Sequence, residues 1–309
     1  MAEQEGETRR DEEKRTELSS HLQAVLLALF VTLLWSSSYV LITVGLAEIP
    51  ALTFAGLRYA LAAAILVVVF VLRGDPCRLR GLSGREWGQL VALGLLLYAV
   101  TQGAQFVALQ SLRAATVSLV LTFTPAVVAL LAVPLLDERP TPRQLAGLAV
   151  LFVGVGAYFF PLGLSEAAAL GLAVMVVGLL GNSVAAVLGR GVNRDGSLSA
   201  LGVTAVSMTI GSMFLLATGV TVQGLPRLSA ESWAIVGWLA VVNTALAFTL
   251  WNRTLETLSA VESSVINNTM LVQVALLSWL FLGESLTALE IVGLVLVGGG
   301  ALLVQLARA

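Results

Sequence analysis

The chain repeats itself without a gap. Displaced by 146 residues along its own length, it brings Trp87 onto Trp233, Gly147 onto Gly293, Glu138 onto Glu284, and Val128-Ala129-Leu130-Leu131 onto Val274-Ala275-Leu276-Leu277. Each copy contains five apolar stretches of membrane-spanning length. Because five is odd, a second copy that follows the first enters the bilayer from the opposite side. Such inverted repeats are the architecture from which many carriers build alternating access, with the substrate between the halves near the bilayer midplane.

Composition places both copies in lipid. Hydrophobic residues make up 58% of the 309 and charged residues 12%, too apolar for a soluble domain of this size. About twenty apolar residues cross the hydrocarbon core. Ten stretches qualify: Leu22–Ala47, Ala51–Leu72, Trp87–Leu109, Arg113–Leu136, Pro142–Phe160, Ala167–Arg190, Ser199–Gly219, Ser232–Thr254, Leu258–Leu282 and Leu286–Leu306. The expected fold is all-α and integral to the membrane, ten transmembrane helices as two inverted five-helix repeats over residues 21–161 and 162–309. Residues 1–20 are charged and polar and are expected to form a disordered cytoplasmic tail. The first apolar stretch outruns the core of a cleaved signal peptide, so it is read as a retained helix.

The basic residues fix the orientation. With the N-terminus inside, fourteen of the seventeen fall in the tail or in cytoplasmic loops, Arg113 and Arg227 fall outside, and Arg58 alone lies within a helix. Cationic loops resist translocation, so both termini are expected in the cytoplasm, with the protein in the inner (cell) membrane. A single cysteine, Cys77, excludes an internal disulfide, and a single histidine, His21, leaves no soft-ligand metal set. No cofactor is expected, because neither Gly-rich run is followed by a phosphate-binding pattern. The partners expected are a small-molecule substrate and the lipid bilayer, not nucleic acid.

Gly147 and Gly154 in the fifth span, and Gly293 and Gly300 in the tenth, are each seven residues apart and share one helix face. Such pairs let helix backbones approach closely in lipid, so these four are assigned to helix packing. Polar residues mark the faces turned inward, since each needs a partner or a wet cavity in hydrocarbon. The first helix carries Thr32, Ser36, Tyr39 and Thr43 with Trp35 beside them. The third carries Tyr98, Gln102 and Gln105, the eighth Asn243, Thr244, Trp251 and Asn252, and the ninth Glu262, Ser263, Asn267, Asn268, Thr269 and Gln273. Asn182 and Ser183 repeat the positions of Ser36 and Ser37.

The substrate contacts selected from these stripes are Trp35, Tyr39, Gln102, Gln105, Asn243, Trp251 and Asn267, with Arg58 added. Aromatic faces would hold an apolar or cationic portion, and amides would orient polar groups. For single serines and threonines, bonding back to their own helix is the simpler reading. For the amide pairs, interhelical bonding and a ligand-facing role weigh equally. Arg58 lies seven residues in from Ala51, about 10 Å at the helical rise. Two roles fit it: an anchor snorkelling to the outer interface, or a cation facing the cavity that attracts a carboxylate or phosphate. No carboxylate lies near the centre of a span, since Glu262 and Glu290 sit near helix ends. This argues against a proton relay built on one.

The segment LQSLRAATVSLVLTFTPAVVALLAVPLLDERPTPRQLAGLAVLFVGVG, Leu109 to Gly156, resembles the EamA repeat of the drug/metabolite transporter superfamily. Its second copy runs from Leu255 to Leu302, and WSSSYV at Trp35 is similar to the family's first-helix signature. The resemblance implies a ten-helix carrier of metabolites or drugs, often an exporter of amino acids, with both termini inside. One departure stands out: the first copy has Pro125 in its fourth helix, whereas Leu271 occupies the place where the family's second copy usually has proline. The expected function is therefore a membrane transporter, most plausibly an exporter of small metabolites such as amino acids or drug-like compounds. The alternative is a non-transporting scaffold or sensor on the same fold. An intramembrane enzyme is disfavoured, because His21 and Cys77 lie outside the helices and leave no nucleophile–base pair within them.

Overall fold

A computed structural model describes residues 2–74, 76–128, 130, 141–160, 165–195, 197–254, 257–258 and 260–306. Among them every regular element is helical. In chain order these are α1 (Ala2–Gly45), α2 (Ala51–Arg73), α3 (Gly84–Ala108), α4 (Ala114–Val128), α5 (Pro142–Tyr158), α6 (Glu166–Asp195), α7 (Ala200–Gln223), α8 (Ala230–Trp251), α9 (Ala260–Leu282) and α10 (Ala288–Leu306). Seven contain segments long and apolar enough to cross a bilayer, while α4, α5 and α10 are shorter. Leu131–Leu136 of the expected fourth span, Glu138 and the side chain of Asn252 lie outside the described residues. Residues 2–20, expected to be disordered, instead continue α1 as helix. The segment is rich in Glu, Lys and Arg, all good helix formers.

The inversion is visible where equivalent helices meet. A Cβ added to Gly147 would lie 2.9 Å from the carbonyl oxygen of Gly300, and one on Gly154 would lie 2.8 Å from that of Gly293. Moving up α5 therefore means moving down α10: the two helices are antiparallel. The pair α2 and α7 behaves alike, with Gly56 against Leu216 and Gly219 against Thr53. All four assigned glycines lie in the α5–α10 seam, where the missing side chains let the backbones touch. Around these central pairs the remaining contacts are duplicated. In the first repeat α1 packs on α8 and α9 of the second, and in the second α6 packs on α3 and α4 of the first.

Helix starts repeat at the same offset. Ser83 and Ser229 cap α3 and α8 by accepting from Glu86 and Ser232 backbone N–H groups, at 3.3 and 3.1 Å. Thr141 with Gln144, and Thr287 with Glu290, form reciprocal capping boxes at α5 and α10. The loop before α2 reaches one of these caps. Its Glu48 carboxylate accepts from the Ser229 and Ser232 hydroxyls at 2.8 and 2.6 Å.

Those two hydroxyls, Ser232 first, hold the Glu48 carboxyl below the usual carboxylate range. A folded-state value below the unfolded one gives stability that is present above the unfolded pKa and lost as pH falls through the folded one. The melting-temperature gap between the wild type and Glu48→Ala is thus expected at neutral pH and to close as pH drops below about 4. A gap that persists unchanged in acid would show that charge plays no part in this contact.

Pro125 and Leu271 separate the two halves. Helix α4 is interrupted by a turn at Thr122 and Phe123, directly before Pro125, which lacks an N–H. Helix α9 runs unbroken through Leu271 from Ala260 to Leu282. The bend present in the first repeat is absent from its counterpart.

Candidate substrate site between the repeats

Both helices that carry the inward amides loosen at the same place. A π-helical segment runs from Leu95 to Gln102 in α3 and another from Val241 to Leu246 in α8, starting at residues related by the repeat. In each, a threonine hydroxyl bonds a carbonyl five residues back: Thr101 to Leu96 and Thr244 to Leu239, both at 2.8 Å. Such widened turns re-aim side chains and are frequent at functional sites. Here they carry Tyr98 and Gln102 on one side and Asn243 and Thr244 on the other.

Arg58 reaches the second of these segments. Its Nε–H donates to Thr244 Oγ1 at 3.2 Å, and its guanidinium lies 4.9 Å from the Tyr59 ring centroid and 5.9 Å from that of Phe106. The depth of this contact bears on the anchor role. Helices α2 and α8 start at one level, because Glu48, just before α2, bonds the first turn of α8. Thr244 is fourteen residues into α8, about 21 Å along it, against about 10 Å for Arg58 in α2. The side chain therefore points toward the bilayer centre. At 4% exposure it does not snorkel to the outer interface.

Aromatic residues complete the wall. Tyr39, Tyr59, Tyr98, Phe54 and Phe106 belong to one buried cluster, with Tyr59 and Tyr98 ring centroids 5.7 Å apart. Trp35 of α1 stacks obliquely on Phe248 and Trp251 of α8, at 5.5 and 5.1 Å. Asn243 is fully buried and donates to the Leu34 carbonyl and to Ser37 Oγ of α1. Among the described residues its Oδ1 has no partner. A buried acceptor without a partner is unfavourable by about 1–3 kcal/mol, so a ligand or water donor there is favoured.

The structure thus brings Trp35 and Trp251 together and joins Arg58 to α8 through Thr244. Asn243 links α8 to α1, and Tyr39 is buried at 5% exposure. Gln105 is buried and Gln102 half-buried, and among the described residues neither side chain bonds to protein. Asn267 stands apart, on an exposed face of α9.

On α9, Gln273 engages α1 by bonding Thr32 and Ser36 at 3.1 and 3.0 Å, and it bonds Thr269 of its own helix at 3.0 Å. Sequence reasoning placed Gln273 and Thr244 on inward stripes but did not select them, and it passed over Tyr59. The adjacency of Tyr59 to Arg58 was the available signal. Several other stripe hydroxyls satisfy themselves locally, as Thr43 does on Tyr39 and Ser38 on Trp35.

A multi-pass helical membrane protein of two inverted repeats, with polar and aromatic groups converging between them, has the form of a small-molecule carrier. The model of the EamA-like transporter family matches residues 22–160 and again 169–306. The chain belongs to that family and is a membrane transporter. It is 28% identical to the uncharacterized transporter YvbV of Bacillus subtilis over 73% of this chain and 70% of that one. It is 25% identical to an S-adenosylmethionine/S-adenosylhomocysteine transporter of Chlamydia trachomatis, over 85% and 83% respectively. A solved crystal structure shares its fold at TM-score 0.66 and 20% identity, covering 93% of this chain and 99% of that one.

Proposed function

We propose that the protein exports small metabolites, of the amino-acid or drug-like class, across the inner (cell) membrane by alternating access. Both termini lie in the cytoplasm, residues 1–20 form a polar tail there, and the repeats at 21–161 and 162–309 rock about the substrate. The substrate is contacted by Trp35, Tyr39, Arg58, Gln102, Gln105, Asn243 and Trp251, with Asn267 lining the approach along α9. The observation that carries this reading is the Arg58–Thr244 contact, which joins the first repeat to the second beside Asn243, whose Oδ1 has no partner among the described residues. A packing contact alone has no need of spare hydrogen-bonding capacity in hydrocarbon.

The orientation is supported by the basic loops, and the metabolite class by the relatives named for S-adenosylmethionine, itself an amino-acid derivative. Flux of labelled amino acids from inside-loaded vesicles tests it. Trp35→Ala and Asn243→Ala are expected to lower flux about tenfold in protein that still folds, equivalent to about 1.4 kcal/mol, with a lowered melting temperature from the lost interhelical contacts. Normal flux in both variants would remove the site, and folded protein that moves no member of the class would remove the substrate assignment.

A further inference from the structure

Arg58 is a buried cation whose charge no neighbour cancels. Among the described residues no carboxylate lies within ion-pair distance of it; the ion pairs found there join His21 to Glu262 and Arg113 to Glu290. Its bonded partner is a neutral hydroxyl, and its other close neighbours are ring faces. These steady a cation but carry no net negative charge. With Nε engaged by Thr244, the two terminal nitrogens retain four N–H groups, arranged in the fork that matches a carboxylate. An uncompensated charge in a low-dielectric interior is strongly unfavourable, so a site that tolerates one gains most from a ligand of opposite charge.

The geometry points to a monocarboxylate with an apolar or aromatic body as the substrate class of this site, its carboxylate on the Arg58 guanidinium. This deepens the transporter reading above and rests on it. Charge balance selects the monoanion: Arg58 is the one basic residue of the chain placed within a span and away from a helix end. A carboxylate neutralises it, whereas a phosphate dianion would carry an excess negative charge into the bilayer interior. The rest of the molecule meets Tyr59 and Phe106, whose rings lie against the guanidinium, and Tyr39 and Tyr98 of the same buried cluster. Thr244 orients the fork by holding Nε, and the hydroxyl is itself held by the Leu239 carbonyl freed in the π-helical turn.

The test is binding to purified full-length protein, read as a rise in melting temperature. Acetate and 3-phenylpropionate are each compared with their methyl esters, and phenyl phosphate is added as the phosphate arm. At least one acid is expected to stabilise the protein while its ester and phenyl phosphate do so tenfold less well. Arg58→Gln is expected to erase that preference. Arg58→Lys, which keeps the charge but not the fork, is expected to prefer acid over ester with weakened affinity, and it serves if the glutamine variant does not fold.

The inference is overturned if no acid is distinguished from its ester, if phenyl phosphate binds best, or if the preference survives in Arg58→Gln. Vesicle flux separates it from the transporter reading. Acid-selective binding without flux keeps the site and removes transport of that acid. Flux indifferent to Arg58→Gln keeps transport and removes the site.

Discussion

Gly211→Val is expected to leave no stably folded protein. A Cβ at Gly211 would fall well inside van der Waals contact distance of the Gly94 carbonyl oxygen and 2.8 Å from Tyr98 Cβ, and one at Gly94 would meet the Ser207 carbonyl in the same way. These neighbours are backbone and cannot rotate away. Overpacking a tight contact costs about 1–3 kcal/mol and sometimes more, while replacing a helical glycine by alanine contributes roughly 1 kcal/mol in the other direction. The clash wins for alanine by a small margin and for valine by a large one, because two further methyls enter the seam.

The expected series is a lowered melting temperature for Gly211→Ala and loss of the monodisperse folded species for Gly211→Val. Gly237→Ala is the control: nothing lies within 4 Å of the added Cβ, and no loss is expected. A Gly211→Val protein that melts like the wild type would mean that α3 and α7 do not approach as described. The contact also borders the site, since the π-helical segment of α3 begins one residue after Gly94.

Glu290→Ala is expected to loosen the junction between the start of α4 and the α9–α10 loop. Glu290 carries out two tasks. Its carboxylate pairs with Arg113 at the start of α4, and it accepts from the Thr287 N–H at 2.7 Å to complete the cap of α10. Arg113 also donates to the Ser285 carbonyl at 3.1 Å, and Glu284 accepts from the Ala114 N–H at 3.0 Å, so the junction joins α4 to the α9–α10 loop.

Loss of a cap costs about 1 kcal/mol, and a hydrogen bond to a charged group contributes about 1.5–3 kcal/mol. The Arg113 side chain is 39% exposed, so water recovers part of the pair and the sum is discounted to about 2 kcal/mol. Glu290→Gln retains the cap and is expected to lose roughly half as much. Equal melting temperatures for the wild type and both variants would show that the junction contributes nothing to stability. The repeat-related place in the first copy holds Gln144, which caps its helix without a charge. The ion pair is therefore a feature of this junction that the repeat does not copy through Gln144.

Much of the architecture was legible because its signals are local or periodic. Hydrocarbon forces backbone polar groups to pair within each segment, so an apolar run of sufficient length can only be a helix. An odd number of such runs per copy then forces the inversion. Gly147 and Gly300, at heptad spacing in matched helices, announced their seam before any coordinates. The Gly94–Gly211 seam gave no comparable sign, since its two glycines have no internal partner at that spacing and meet only when α3 lies across α7. The interrupted α4 was foreshadowed by Pro125, which both removes a donor and collides with the preceding turn.

The candidate site was legible only as a set of stripes. Asn243, Trp35 and Trp251 were found because polar and aromatic residues at helical spacing select a face, but a stripe does not say which face of which helix it meets. Asn267 shows the limit: it shares a helix with Gln273, yet it is Gln273 that engages α1 while Asn267 lies exposed. Arg58 shows it more sharply. Its depth in α2 followed from counting residues, but the direction of a long side chain depends on what stands opposite.

Sequence alone determined the membrane class, the two inverted copies and the residues with chemistry to offer, because each follows from hydrophobic length, spacing and parity. Tertiary structure alone decided that Arg58 turns onto Thr244, that α3 and α7 touch at glycine, and that the Oδ1 of Asn243 has no donor among the described residues. Those facts depend on helix rotation and crossing, which arise from packing between segments far apart in the chain and leave no periodic trace in either one.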